Sequence, residues 1–185
     1  MKTLIFNGSP RPGGDTAAMV SELRRHLAGE VIELKCYREK ISPCVDCRRC
    51  MREPGCAIPD GMQKYYAILQ DCDCVVIASS VYYSLPTAPL LAVMSRLQTW
   101  FCASRFRRDP VQIRPKRGGI ILAGGGSGSA EPAEATARRL LKYMKAKQIG
   151  PVAASLATDR IPAREDTAAL EAARSLAAFL NGFQE

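Results

Sequence analysis

Residues 7–16 read NGSPRPGGDT. It follows a short apolar run, residues 3–6 (TLIF). It precedes a segment in which Ala17, Val20, Leu23 and Leu27 recur at helical spacing. A strand that ends in glycines and feeds a helix N-terminus suits an anion, because free N–H groups and the helix dipole favour negative charge there. Gly8, Gly13 and Gly14 allow close backbone approach. Ser9 and Thr16 offer hydroxyls, and Arg11 offers a cationic fork. Together these parts suit a phosphomonoester. The same stretch also reads as a tight strand–helix turn, rich in Gly and Pro for conformation alone. It lacks the G-x-x-x-x-G-K-[ST] pattern, and no G-x-G-x-x-G opens the first helix, so neither a nucleotidase phosphate loop nor a dinucleotide fingerprint is present.

Working outward, the spacing predicts a helix over about residues 16–27, a second strand at 31–34 and an irregular segment rich in Cys and Pro over about 37–59. Asp60 is placed to cap a helix running to about Leu69, with Met62, Tyr65, Tyr66 and Leu69 as its apolar side. Residues 74–78 (CVVIA) form a continuous apolar strand, as expected where both faces are covered. A helix over 86–101, a strand at 119–122 running into Gly124-Gly125-Gly126, a helix over 132–147, a weaker strand at 151–156 and a helix over 165–180 complete the pattern. Strands that alternate with helices predict a parallel α/β sheet, with ligands outside the carboxyl ends of the strands. No repeat or linker interrupts it, so residues 1–185 are expected to form one domain with a Cys-rich insertion at about 37–59.

Cys44, Cys47, Cys50 and Cys56 form C-x2-C-x2-C-x5-C. Four thiolates this close can converge on a [4Fe–4S] cluster or a closed structural zinc, or remain metal-free. The compact spacing favours a cluster, since zinc sites more often use two separated C-x2-C pairs. Pro54-Gly55 makes a turn that can bring Cys56 back to the other three. Cys36, Cys72, Cys74 and Cys102 lie in or beside apolar elements and read as small buried hydrophobes.

The formal charge of +8 admits anionic ligands or acidic partners. Much of the excess sits at Arg105, Arg107, Arg108, Arg114, Lys116 and Arg117, which read first as a solvated loop and second as a guide for phosphate-bearing ligands or an acidic electron-transfer partner. No nucleic-acid module is recognisable, so no nucleic-acid partner is expected. No stretch approaches the roughly 20 apolar residues that span a bilayer, and the first residues read as a strand, so a cytoplasmic protein without membrane contact is expected. The single histidine, His26, lies near the end of the first helix and is given no role, and no catalytic acid or nucleophile stands out.

Three of these loops also carry a family resemblance. GSPRPGGDT resembles the phosphate loop of the NADPH-dependent FMN reductase and iron–sulfur flavoprotein families. Residues 79–85 (SSVYYSL) resemble the loop beside the flavin, and residues 124–129 (GGGSGS) the Gly-rich loop that passes the isoalloxazine ring. The resemblance implies a flavodoxin-like three-layer sandwich, with a five-stranded parallel sheet in the order 2-1-3-4-5 and helices on both faces. It implies that Ser9, Arg11, Asp15 and Thr16 hold the FMN phosphate. Ser80, Val81, Tyr82 and Tyr83 would line the ring, and Gly125, Gly126 and Ser127 would face its polar edge. Asp15 stands where Asn is common, Ser80 replaces the usual Pro, and Ser95-Arg96 replaces the usual Asp-Arg pair. The cysteine segment resembles the compact motif of iron–sulfur flavoproteins. The implied activity is FMN-dependent oxidoreduction with NAD(P)H or a ferredoxin-like protein as electron donor, or else electron carriage through FMN and [4Fe–4S] without a small substrate. The implied assembly is a homodimer or homotetramer.

Overall fold

The computed structural model describes residues 1–182. Its strands, in chain order, are β1 (Lys2–Gly8), β2 (Glu30–Lys35), β3 (Cys74–Tyr82), the two-residue β4 (Leu85–Pro86), β5 (Lys116–Ala123) and β6 (Ala146–Ser155). The sheet runs β2-β1-β3-β5-β6 with every neighbour on this path parallel, while β4 folds back antiparallel onto the end of β3. Leaving out that short hairpin arm, this is the expected order 2-1-3-4-5. The helices are α1 (Asp15–His26), α2 (Met62–Asp71), α3 (Ala88–Ser95), α4 (Gln98–Cys102), α5 (Glu131–Tyr143) and α6 (Thr167–Asn181).

The central strands are buried on both faces, so side chains alternate between two cores. From β3, Cys74, Val76 and Ala78 pack with Met19, Val20 and Leu23 of α1 and with Ala173, Leu176 and Leu180 of α6. Val75 and Ile77 pack on the other side with Leu69 of α2, Leu90 and Val93 of α3, and Ala137 and Leu141 of α5. Each fully buried Val, Leu or Ile contributes about 1.5–3 kcal/mol, enough to explain why the apolar runs become central strands. Across the first core, the buried Glu22 of α1 accepts a 2.6 Å bond from Arg174 Nε of α6 and joins the two helices.

Several elements depart from the sequence expectation. The helix expected over 86–101 is broken: α3 ends at Ser95, and bonds from Arg96 N–H to Val93 O and from Leu97 N–H to Met94 O tighten the chain before α4. No Pro or Gly forces this break. Arg96 turns inward and is buried, and α4 continues into a π-helical turn, Ala103–Arg107. The helix expected over 132–147 stops at Tyr143, and β6 starts at Ala146, because Lys145 takes a left-handed φ of 64°. Asp60 does serve the start of α2, its Oδ1 accepting the Met62 N–H at 3.0 Å.

The basic stretch is not simply a solvated loop. Arg105 and Arg108 are exposed, but Lys116 is buried with its Nζ donating to Arg114 O at 2.6 Å. Arg114 pairs with Asp73 at 2.8 Å, and Arg117 stacks over the Phe179 ring at 4.7 Å. Arg107 donates to Cys50 O. Four of the six charges are therefore spent inside the fold.

Candidate functional site

All five parallel strands point their carboxyl ends to one edge of the sheet. The order changes direction between β1 and β3, the place where ligands of open α/β sheets commonly bind. The first loop is fixed by its own polar groups. Ser9 N–H donates to Asn7 Oδ1 at 2.8 Å, Ser9 Oγ donates to Arg11 O at 2.9 Å, and Gly14 N–H donates to Arg11 O at 3.2 Å. Gly14 caps α1, and no side chain satisfies the first-turn N–H groups of that helix. An anion placed there would meet donors already pointing at it.

The four side chains expected at the phosphate divide into two groups. Ser9 is half-buried and Arg11 sits exposed on the rim of the loop. Thr16 is buried, with its Oγ1 3.0 Å from Ser80 Oγ, so the first and second loops are joined by a hydroxyl pair. Asp15 has both oxygens engaged: Oδ2 pairs with Arg11 at 3.2 Å, and Oδ1 accepts the Ala163 N–H at 3.0 Å. It fastens the start of α1 to the loop after β6 and draws Arg11 across the helix end. Beside this loop a cleft of about 430 Å³ is lined by Arg11, Arg24, Lys35 and Arg38, with Ser9 and Glu33.

In the second loop, β3 and β4 form a hairpin closed by Tyr83 (φ 50°) and Ser84 (φ 63°). Two consecutive left-handed residues are the signature of a type I′ turn, adopted here without glycine. The turn lifts Tyr83 fully into solvent, and Tyr82 is half exposed. Ser80 and Val81 lie deeper. The third loop lies against the second: a Cβ on Gly124 would stand 3.3 Å from Val81 Cβ. Gly125 is hemmed in by the loop after β6, where a Cβ would come 2.9 Å from Asp159 N. Gly126 takes φ 81°, and Ser127 is exposed beside it. The Gly126 N–H, donated to Asp159, holds that carboxyl below its usual value.

The structure thus brings together the three expected loops and adds a fourth, residues 157–164, through Thr158 N–H to Gly124 O (3.1 Å), Asp159 and Ala163. The rule that ligands gather at the carboxyl ends of parallel strands could have found this loop; its own composition carries no motif.

The cysteine segment lies at the far end of α3. Thr87 Oγ1, just before that helix, donates to Gly8 O at 3.1 Å, and Ser95 Oγ, at its end, accepts the Cys44 N–H at 2.9 Å. Eight helical residues separate the two sites, about 12 Å at 1.5 Å per residue. Cys44, Cys47, Cys50 and Cys56 line one cavity, together with Cys102 and Arg96. Among the described residues no three His, Cys, Asp or Glu side chains are set at metal-binding geometry. The enclosed space, about 20 Å³, is water-sized. The donor chemistry suits a centre held by four thiolates. Burial, aided by the neighbouring Cys102, pushes the Cys50 thiol up to about 11. Cys102, expected as a plain buried hydrophobe, is buried but walls this cavity; Cys36, Cys72 and Cys74 are buried in the core as expected.

Comparison with known proteins places these features in context. The profile of the NADPH-dependent FMN reductase family matches residues 1–160. An iron-sulfur flavoprotein of Methanocaldococcus jannaschii is 32% identical over 127 residues, covering 67% of this chain and 62% of that protein. An iron-sulfur flavoprotein of Archaeoglobus fulgidus is 28% identical over 145 residues, covering 77% and 63%. The chain therefore spans less than two thirds of the length of these relatives. Among solved structures, the NAD(P)H:quinone oxidoreductase from Methanothermobacter marburgensis superposes with a TM-score of 0.70 at 14% identity, covering 100% of this chain and 98% of that one. An FMN-dependent NADH-azoreductase from Bacillus anthracis, in complex with FMN, gives 0.64 at 14% identity, covering 98% and 99%. These likenesses establish the flavodoxin-like fold.

Proposed function

Because the chain belongs to the NADPH-dependent FMN reductase family, we propose that it is an FMN-dependent oxidoreductase supplied by NAD(P)H or by a ferredoxin-like protein. The observation that carries this reading is the convergence of the loops after β1, β3 and β5 at one edge of the sheet, joined by the Thr16–Ser80 hydroxyl pair and the Gly124–Val81 contact. FMN fits the residues present: the α1 N-terminus has no capping side chain, and around Gly13 and Gly126 a Cβ would meet nothing within 4 Å. When bound, FMN supplies the electron and hydride transfer. In this reading Ser9, Arg11 and Thr16 grip its phosphate, while the Asp15 carboxylate competes with it for Arg11. Ser80, Val81, Tyr82 and Tyr83 line the ring and exclude water, and Gly125, Gly126 and Ser127 face its polar edge.

Residues 1–185 act as one FMN-binding domain in this proposal, in a cytoplasm that keeps the thiols reduced. No described helix is long and apolar enough to cross a membrane. The exposure of Tyr82, Tyr83 and Leu85 favours a homodimer or homotetramer in which a second copy covers the hairpin. The test is a fluorescence titration with FMN and riboflavin, followed by NADPH and NADH oxidation with an added acceptor. FMN is expected to bind more tightly than riboflavin and to support turnover. A protein that binds neither flavin refutes the proposal.

The cysteine cavity favours a second reading, in which Cys44, Cys47, Cys50 and Cys56 hold a [4Fe–4S] cluster that exchanges electrons with FMN. The iron-sulfur flavoprotein relatives support it. An anaerobic absorbance spectrum with iron and acid-labile sulfide assays tests it. Zinc, or no metal at all, would remove the cluster and leave a plain flavin reductase. Rapid reduction by ferredoxin with none by NADPH would favour an electron carrier without a small substrate.

A further inference from the structure

Among the described residues, the buried side-chain nitrogen and oxygen atoms without a hydrogen-bond partner are Thr3 Oγ1, Arg96 Nε and Arg107 Nε. Both arginines grip the cysteine segment. Arg96 is 1% exposed. Its Nη1 donates to Ser42 O at 2.9 Å and Asp60 Oδ2 at 2.6 Å, and its Nη2 donates to Ile58 O at 3.2 Å. One guanidinium therefore holds the chain just before Cys44 and just after Cys56. The preceding residue, Ser95, holds the Cys44 N–H, and Arg107 holds the Cys50 carbonyl.

These contacts leave an accounting problem. A buried N–H without an acceptor is costly, more so on a charged group. Arg96 nevertheless lines the cavity that the four cysteines share, and its Nε–H is unspent. Four thiolates gathered on a metal would bring excess negative charge into that space, and hydrogen bonds to their sulfurs tune such a centre. An arginine is suited to this duty because its planar fork serves several acceptors from fixed directions, which a lysine cannot do.

We propose that Arg96 is the positioning and charge-compensating residue of the cysteine centre, clamping both ends of the ligand loop and reserving its Nε–H for a ligand sulfur. This rests on the reading of Cys44, Cys47, Cys50 and Cys56 as a thiolate centre. The experiment uses the full chain, reconstituted anaerobically with iron and sulfide, as wild type, Arg96→Gln and Arg96→Lys. Iron and sulfide content, FMN content, thermal melting and the cluster midpoint potential are measured together.

Arg96→Gln is expected to bind less iron. Its remaining cluster should be harder to reduce, with the ratio of reduced to oxidised cluster at a fixed potential falling about tenfold, equivalent to about 59 mV for a one-electron couple. Arg96→Lys keeps the charge but loses the fork; it should retain FMN and give up iron to a chelator several-fold faster than wild type. Should Arg96→Gln fail to fold, the lysine variant decides. Wild-type iron content and potential in Arg96→Gln, or wild-type iron release in Arg96→Lys, overturns the role of Arg96. A wild-type chain that takes up neither iron nor zinc refutes the centre itself, and the proposal with it.

Discussion

At Asp15 a carboxylate occupies the first residue of the helix whose N-terminus faces the proposed phosphate. Its oxygens are committed to Arg11 and to the Ala163 N–H, so it acts through Arg11 and the loop after β6. Replacing Asp15 by Asn keeps an acceptor for Ala163, removes a charge beside the phosphate and frees the Arg11 fork. FMN affinity should rise about three- to tenfold, the scale of ~1 kcal/mol for a partly exposed charge pair, with riboflavin unaffected. Parallel fluorescence titrations check this, and weaker FMN binding would contradict it. Gly125 gives the opposite case. Its hydrogen is needed because a Cβ would stand 2.9 Å from Asp159 N and 3.0 Å from Asp159 Cβ. Gly125→Ala should cost about 1–3 kcal/mol of stability, as overpacking commonly does. It should also weaken FMN binding, read by calorimetric melting and flavin titration on one preparation.

At the scale of elements, α3 stands out for its two ends. It starts beside the first-loop carbonyl of Gly8 and finishes at Ser95-Arg96, which hold the cysteine segment. The π-helical turn after α4 holds that segment at the Cys50 carbonyl through Arg107. Irregular helical turns of this kind recur at functional sites, and here the turn aims a long cation at a loop carbonyl. Arg107→Met should free the Cys50 carbonyl while leaving the remote flavin loops intact. The expected result is faster hydrogen exchange confined to residues 44–56 with FMN affinity unchanged. Unchanged exchange there would show that Arg107 does not order the loop.

For the molecule as a whole, α1 and α6 are joined through the buried Glu22, which accepts from Arg174 and Arg25 and lies 3.4 Å from His26 Nε2. The bond from Arg174 holds the Glu22 carboxyl below its ordinary value of 4.5, against the opposing effect of burial. A carboxylate depressed in the folded state adds stability that is fully present above that ordinary value. It is lost as pH falls through the depressed one. Wild type should therefore lose stability progressively below about pH 4.5, and Glu22→Gln should be less stable at neutral pH with a shallower acid decline. Denaturant titrations across this range test the slope, and parallel curves would exclude Glu22 as the coupling group.

Much of this architecture is legible in local sequence, because strand and helix periodicity and turn chemistry are short-range. The apolar runs ending at Asn7-Gly8 and at Gly124, with an amphipathic segment after each, suffice for a parallel α/β sheet and for loops gathered at one edge. Short-range rules cannot foresee what distant residues do to each other. Nothing near Arg96 breaks a helix; the break follows because Ser42, Ile58 and Asp60, 36 to 54 residues upstream, offer acceptors that bury its guanidinium. The stretch from Arg105 to Arg117 reads as solvated charge until Asp73, Phe179 and the Cys50 carbonyl arrive to absorb it. Cys102 looks like one more apolar residue of a helix until that helix packs beside the cysteine loop. Local pattern set the sheet order and the loops at its carboxyl edge, though not where every helix ends. Only the tertiary structure decided which charges are spent and which sulfurs share a cavity, because burial and pairing depend on contacts that no local pattern encodes.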